Sequence, residues 1–554
     1  MRHPVAWIAL GAIMIGSMPS TGGSQSQDTI GSVAFHVSCD GPVQRRFDRA
    51  VALLHHMTYA RARAEFTAIA SSDPECAMAH WGIAMTLFQP LWPTRPSEAD
   101  LERGREAIAR ARELGAGTER ERLHVAAAGA FFDAEQSEYW DRIARWADAT
   151  RVLYERFPDD PESAVFFALA HLAVAPARSA GNHNEESAAV LQSVLRVAPD
   201  HPGAVHYMIH ASDADGREGE SLGVVRNYTA IAPKNPHALH MPTHIYVRLG
   251  DWAGVIEGNL QAALAALETP AGDQGQWVWD EFPHAIEYLV YAYLQIGDDS
   301  SAQIQMTRLQ QTAHLEPSFK TAFNLSSIPA RIALERRNWA EAVQLLPRPD
   351  PTLPWDRFPW PEAVTWYARG IGAARLGDTL AAHAAEHRLH DLRDASNRLG
   401  EDLFARQTEI LRLGVSAWLA HARSEEERAI GLMREALALE TDTPKHPVTP
   451  APTLPAAELL GDLLLELARP EAALEAYELS LRRTPNRFNS LVGAARAADR
   501  AGDVERALEH YRRLLAVVVS GSMRPEVTEA ERYLDRHGGS VGASPTGSET
   551  AWHP

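Results

Sequence analysis

The chain repeats itself at a fixed distance. Pro199 and Pro233, Pro202 and Pro236, His206 and His240, and His210 and His244 are each separated by 34 residues. A period of that length is the length of a helix–turn–helix unit, which buries its apolar face only by stacking on its neighbours. The histidine pairs therefore recur at equivalent points of adjacent units. Within each pair the i,i+4 spacing puts both rings on one helix face. The spacing predicts that four imidazoles converge on one patch.

The rest of the sequence agrees with stacked helices. Ala, Leu, Glu and Arg dominate and β-branched runs are few, which favours an all-α protein. The elements Pro158-x-x-Pro161, Pro199-x-x-Pro202 and Pro233-x-x-Pro236 each close one unit and open the next helix at its first turn, where a missing N–H costs nothing. From residue 249 the copies LGDWAGVIEGNLQAAL, IGDDSSAQIQMTRL, ERRNWAEAVQLLP, LARPEAALEAYELSLRRTP and RAGDVERALEHYRRLL follow one another. These segments resemble the tetratricopeptide repeat (TPR) family, and the resemblance covers most of the chain after about Pro42. It implies an all-α, right-handed TPR-like superhelical solenoid of stacked antiparallel helix pairs.

The predicted organisation is a signal peptide at 1–25, atypical helical repeats at 35–157, and a TPR array with a histidine-rich concave face at 158–346. Middle repeats at 347–442, a C-terminal TPR pair at 455–537 and a disordered tail at 538–554 complete it. Three interruptions mark the array: residues 265–280, which lengthen the spacing to His284, and the Pro-rich connectors 347–363 and 443–455. Arg2, the apolar run Val5 to Ile15 and the polar segment after it follow the order of a secretory leader. This predicts a periplasmic or secreted protein; the alternative is an apolar terminus that stays uncleaved. No stretch reaches the ~20 apolar residues of a membrane span. The only cysteines, Cys39 and Cys76, are expected to form a disulfide in an oxidising compartment, the alternative being two buried thiols.

In the TPR family, positions two, five, nine and twelve of each first helix line the concave groove. Carried onto this sequence, His237 and His284 fall at position two, and His206, His240 and Glu287 at five. His210, His244 and Tyr291 fall at nine, and Asp213 at twelve. The resemblance thus implies one groove with six histidines, two carboxylates and a tyrosine. Neutral imidazoles are ligands for Zn²⁺ or Cu²⁺, with carboxylates as natural completing ligands. The expected metal ligands are His206, His210, His240, His244, His284 and Glu287. His237, His284, Asp213 and Tyr291 are expected to meet a bound ligand, and Glu287, Asp213 or Tyr291 to serve as acid or base if the protein is an enzyme. Pro242, between His240 and His244, removes an N–H and predicts a bend. Histidines in such grooves also hydrogen-bond peptides, so the repetition alone does not require a metal.

His183 is a weaker candidate, whereas His55, His56, His80, His124 and His171 lack the phase and read as core or surface. Trp81 with Met85 reads as packing, and Trp277 with Trp279 as packing or a cover over the groove. With 53 basic against 72 acidic residues, phosphate tracking is disfavoured and no nucleic-acid partner is expected. The sequence carries no GxGxxG, GxxxxGK[ST], GxSxG or CxxC motif, and the glutamate of the zinc motif HExxH is missing from both histidine pairs. Two functions stand open: a scaffold that binds a peptide, protein or small molecule, with a transition-metal ion held by the histidines, or a metal-dependent hydrolase or oxidoreductase using the same cluster.

Overall fold

The computed structural model describes residues 29–134, 137–176, 182–272 and 274–538. The expected signal peptide and all but the first residue of the expected tail lie outside the described residues. Within them the chain is an all-α, TPR-like stack of helix pairs. Each first helix packs on its own second helix and on the next first helix, as Pro161–Val174 does on Pro202–Ser212 and Glu281–Gln295 on Phe319–Glu335. The only strands among the described residues are Pro270–Ala271 and Trp277–Val278, an antiparallel ribbon inside the 265–280 insertion.

The Pro-x-x-Pro elements start their helices in one way. The residue before the second proline caps the helix, because its side chain accepts a hydrogen bond from a backbone N–H that has no partner within the first turn. Asp160 takes Ser163 N at 2.8 Å, His201 Nδ1 takes Ala204 N at 3.2 Å, and Asn235 takes Ala238 N at 3.0 Å. Pro242 does break the repeat it sits in. The helix divides at Met241 into Pro236–His240 and Pro242–Leu249, and the Thr243 hydroxyl takes up the carbonyl of His240 at 2.7 Å. Gly250 ends that unit at φ +67°, and a Cβ there would meet the Pro485 carbonyl oxygen at 2.4 Å.

That last contact shows how the stack is closed. The C-terminal helices dock on the turns of the histidine repeats: Trp252 Nε1 donates to Asn486 O, Phe488 N to Gln295 Oε1 and Val519 N to Ile296 O. At the other end Arg95 pairs with Glu401 through two 2.8 Å bonds. The connector 443–455 joins the middle helices to the last ones and is also largely buried, lying across the histidine repeats as a strap. Its carbonyls take Tyr288 Oη at Pro447 and Thr449, and Arg331 at Ala451 and Pro452. Cys39 and Cys76 are joined by a disulfide that ties the extended lead-in to the start of Ala77–Met85.

Candidate metal centre

The six repeat-phased histidines meet, but as two triads. One is His206, His210 and His237; the other is His240, His244 and His284. Each takes an i,i+4 pair from one first helix and a single histidine from the second position of the next first helix, so the second triad is the first moved one repeat along the stack. In the first, His206 Nε2 lies 3.2 Å from His210 Nε2 and 2.9 Å from His237 Nε2. In the second, His240 Nε2 lies 3.0 Å from His244 Nε2, and the His240 and His284 rings are 4.4 Å apart at their centroids. Across the triads the nearest ring pairs, His210 with His244 and His237 with His240, are 6.2 and 6.3 Å apart. The two triads are adjacent compartments of one chamber. Five of the rings are buried and His210 is half-buried.

The hydrogen-bond network assigns the tautomers. His206 Nδ1 donates to the carbonyl of His55 at 2.7 Å. His237 Nδ1 faces Glu281 Oε1 at 3.1 Å. Burial opposes ionisation of Glu281, but Lys320, whose Nζ is 2.8 Å away, and then His237 hold its carboxyl well below the usual range, so it accepts. His240 Nδ1 donates to Asn259 Oδ1 at 2.7 Å, and the Asn259 amide is oriented because its Nδ2 donates to Val255 O. His244 Nδ1 donates to Asp213 Oδ2 at 2.9 Å, and although burial opposes it, Lys445 and Arg248 hold Asp213 ionised. In its neutral form, each of these rings with its proton on Nδ1 has a lone pair on Nε2. Two lone pairs then face each other at 2.9 Å in the first triad and at 3.0 Å in the second.

Such a contact is repulsive between bare nitrogens and favourable around a cation. Metal–nitrogen bonds of ~2.0–2.1 Å place two ligand nitrogens of one ion roughly 2.9–3.4 Å apart, depending on the angle. Burial also favours the neutral, ligating form of five of the rings: it pushes His240 down to about 3, His206, His210 and His284 well below their ordinary value, and His244 down.

The other expected site residues fall differently. Asp213 touches His244 as a hydrogen-bond acceptor. Glu287 belongs to neither triad, because Arg331 Nη2 takes its Oε1 at 3.2 Å, and burial pushes it up to about 7. Tyr291 receives Arg487 Nη1 at 3.3 Å instead of facing the histidines. The tyrosine at the centre is Tyr288, one helical turn after His284, with its hydroxyl 3.3 Å from His244 Nδ1 and its ring 4.6 Å from His240. His183 lies against His171, with centroids 4.4 Å apart. Trp81 sits in the aromatic core with Phe35, Phe47 and His124. Trp279 stacks on Trp92, which meets His237 edge-on, so the insertion does cover one side of the chamber.

Sequence reasoning missed Glu281, Asn259, Tyr288, Lys445 and the N-terminal hairpin. Glu281 and Tyr288 flank His284 at i−3 and i+4 on one helix face, a signal that was present. Asn259 and Lys445 reach the histidines from other elements, and no local spacing marks them. His55 and His56 are core residues that also brace the first triad. The His55 carbonyl holds His206, and His56 Nδ1 meets at 3.0 Å the hydroxyl of Tyr228, whose ring stacks on His206. A third cluster, His55, Glu162 and His201, is a closed network in which the Glu162 carboxylate accepts from both rings at 2.9 Å.

No protein-family model matches the chain, and no curated protein matches it. Among solved structures it is similar to the APC/C hetero-tetramer Cut9–Hcn1 (14% identity, 88% of this chain and 96% of that one, TM-score 0.26). It is also similar to the human IFIT1 dimer with PPP-AAAA (14%, 80% and 90%, 0.33) and to an IFIT1 monomeric mutant with Gppp-AAAA (13%, 87% and 96%, 0.35). The fold rests on the helix contacts of this chain.

Proposed function

We propose that the protein is an exported metalloprotein that holds two transition-metal ions side by side, one in each histidine triad, and uses them as an oxidoreductase. The observation that carries this reading is the pair of lone-pair contacts, His206 Nε2 to His237 Nε2 and His240 Nε2 to His244 Nε2, each oriented by an Nδ1–H partner. Carboxylate or backbone partners on the far ring nitrogen are what orient histidine ligands in metal sites.

Copper is the ion the donor set favours. All six donors are imidazoles, which ligate in their uncharged form, and burying ionic charge among neutral donors is costly. A pair of Cu(I) ions brings half the charge of a pair of Zn²⁺, and imidazole suits both metals. A hydrolytic centre would also want a free base beside an open coordination position. The two carboxylates that touch the histidines, Asp213 and Glu281, are instead committed to lysines and to Nδ1–H groups. Export is supported by the leader-like N-terminus and the Cys39–Cys76 bridge.

Elemental analysis of the purified full-length protein, reconstituted anaerobically with Cu(I) and desalted, tests the centre. The expected result is two copper equivalents per chain, falling to one in His206→Ala and in His240→Ala, and to none in the double variant. Copper retained by the double variant would end the proposal. Recovery of a shortened, disulfide-bonded chain from the envelope or medium tests export.

A further inference from the structure

His210, the half-buried member of the first triad, borders a separate space. This is a cavity of about 540 Å³, and His210 is the one triad histidine among its lining residues. That volume falls within the roughly 300–1,000 Å³ of small-molecule sites. Its roof is the strap 443–455, and its far wall is aromatic. Trp360 and Phe404 stack there with centroids 5.0 Å apart and planes 17° from parallel, beside Phe323 and Phe319. His446 of the strap meets Phe404 and Trp360 edge-on at 5.3 and 6.0 Å, so a guest lies alongside His446; Tyr367 and Trp140 line the cavity too.

Each cation around the cavity is already paired, while two further carboxylates line it: Glu440, which has Arg483 only at 3.9 Å and is pushed up to about 7 by burial, and the exposed Asp442. Lys445 and Arg248 both bind Asp213 at 2.9 Å, Arg483 binds Asp215 at 2.8 Å, and Arg95 binds Glu401 at 2.8 Å. An anionic guest would have to break one of these pairs, because each lining cation is held by a carboxylate. Flat apolar walls reward offset stacking of another ring, whereas a flexible alkyl chain gains only its area.

We infer that this cavity binds an uncharged aromatic small molecule of one to three rings, stacked on the Trp360–Phe404 wall alongside His446 of the strap with one edge toward His210. The class of guest follows from the walls and their charge balance alone. That its edge meets a metal rests on the proposed function of the triads.

The test uses 2-naphthol as probe on the full chain, with 2-naphthoate as its anionic analogue and 2-(aminomethyl)naphthalene as its cationic one. Binding is read by equilibrium dialysis on metal-free and on copper-loaded protein. The expected result is 2-naphthol bound at least 10-fold more tightly than either charged analogue in both forms. Leu403→Trp, which fills the cavity from a half-buried position, should weaken it at least 10-fold in a protein that still melts cooperatively, and Phe404→Leu, which removes a ring from the wall at some cost in melting temperature, should do the same. Equal or tighter binding of either charged analogue, or undiminished binding in folded Leu403→Trp, would overturn the assignment. In the copper form, oxidised to Cu(II), 2-naphthol should shift the visible absorption; an unchanged spectrum with intact binding overturns the orientation toward His210. If copper fails to bind at all, the metal reading falls, while the dialysis on metal-free protein still decides the class of guest.

Discussion

The two triads are copies by position and differ in what holds them. The first leans on the N-terminal hairpin: a backbone carbonyl fixes His206 and a carboxylate fixes His237, while His210 faces the cavity. The second is braced by side chains of the array and the strap. Asn259 fixes His240, Asp213 fixes His244, and Tyr288 packs against all three rings, while His284 Nδ1 is buried without a partner. A duplicated unit has thus supplied the ligands twice, and unrelated parts of the chain have supplied two different supports. The difference leaves one triad bordering a cavity through His210 and the other fully buried.

The most direct way to break this comparison is to remove a ligand from each. His237→Ala should abolish binding at the first triad and leave one equivalent in the second; His284→Ala should do the reverse. Because changing a residue that only orients a ligand costs ~10–100-fold in metal affinity, loss of one ligand of three should exceed that. Titration with Cu(I) against a competing chelator reads each site. Loss of both ions in either variant would show one shared site instead of two compartments.

Acid is the next lever, and its sign follows from burial. Burial pushes His56, His124, His240 and His446 down to about 3, so the folded state binds fewer protons than the unfolded chain below the ordinary value of about 6.5. Each contributes stability that is full above about 6.5 and is lost as pH falls toward 3, at about 1.4 kcal/mol per pH unit. Glu287 and Glu440, pushed up to about 7 by burial, and Glu316, pushed up to about 8, act oppositely. Their contribution is full below about 4.5 and fades as pH rises through 7 to 8. The metal-free protein should therefore be most stable near pH 6.5, and urea unfolding at pH 5, 6.5 and 8 measures it. Metal at the triads should extend stability on the acid side, because the bound form keeps its rings neutral. A metal-free optimum at or below pH 5 would refute the burial argument.

The carboxylates sharpen the comparison further. Glu281→Gln should weaken the first triad by ~10–100-fold and spare the second; Asp213→Asn should weaken the second by a similar factor. The second change should also cost more stability, since it leaves Lys445 without its buried partner, whereas Lys320 keeps Asp280 at 2.8 Å. Competition titration and thermal melts on the same samples separate the two effects. Equal loss at both triads from either variant would show that the supports are shared.

Much of this was legible in the sequence, for reasons particular residues make clear. The 34-residue spacing of His206 and His240 fixed both the helix stack and the faces that carry the ligands, since a repeat places equivalent residues at equivalent points. The same frame put His237 and His284 at one position of successive helices. What it did not reveal was that a position-two histidine completes the pair on the preceding helix. That pairing depends on how far one helix advances over the next, which no periodicity within a helix encodes. Glu287 and Tyr291 held groove positions as well, yet they were drawn away by Arg331 and Arg487, which lie 44 and 196 residues further along the chain. The strap was legible only as Pro-rich. Its burial over the chamber is a tertiary fact, arising because the C-terminal helices dock back on the histidine repeats.

The smallest expected effect tests the hairpin's role in the first triad. The Cys39–Cys76 bridge closes a loop of 37 residues' separation, for which loop entropy gives roughly 3–4 kcal/mol of stability. That loop contains the helix Gln44–His55, whose last carbonyl holds His206 Nδ1. The His55 side chain is itself fixed from both sides, by Glu162 and by Tyr207, so the carbonyl should stay near its place when the bridge is opened. Loosening it then costs the first triad only the added freedom of its support. A variant with Cys39→Ser and Cys76→Ser should unfold at lower urea concentration, bind copper a few-fold more weakly at the first triad, and bind it unchanged at the second. Equal weakening at both sites would mean that the disulfide acts through global stability, and the separate support inferred for His206 would have to be given up.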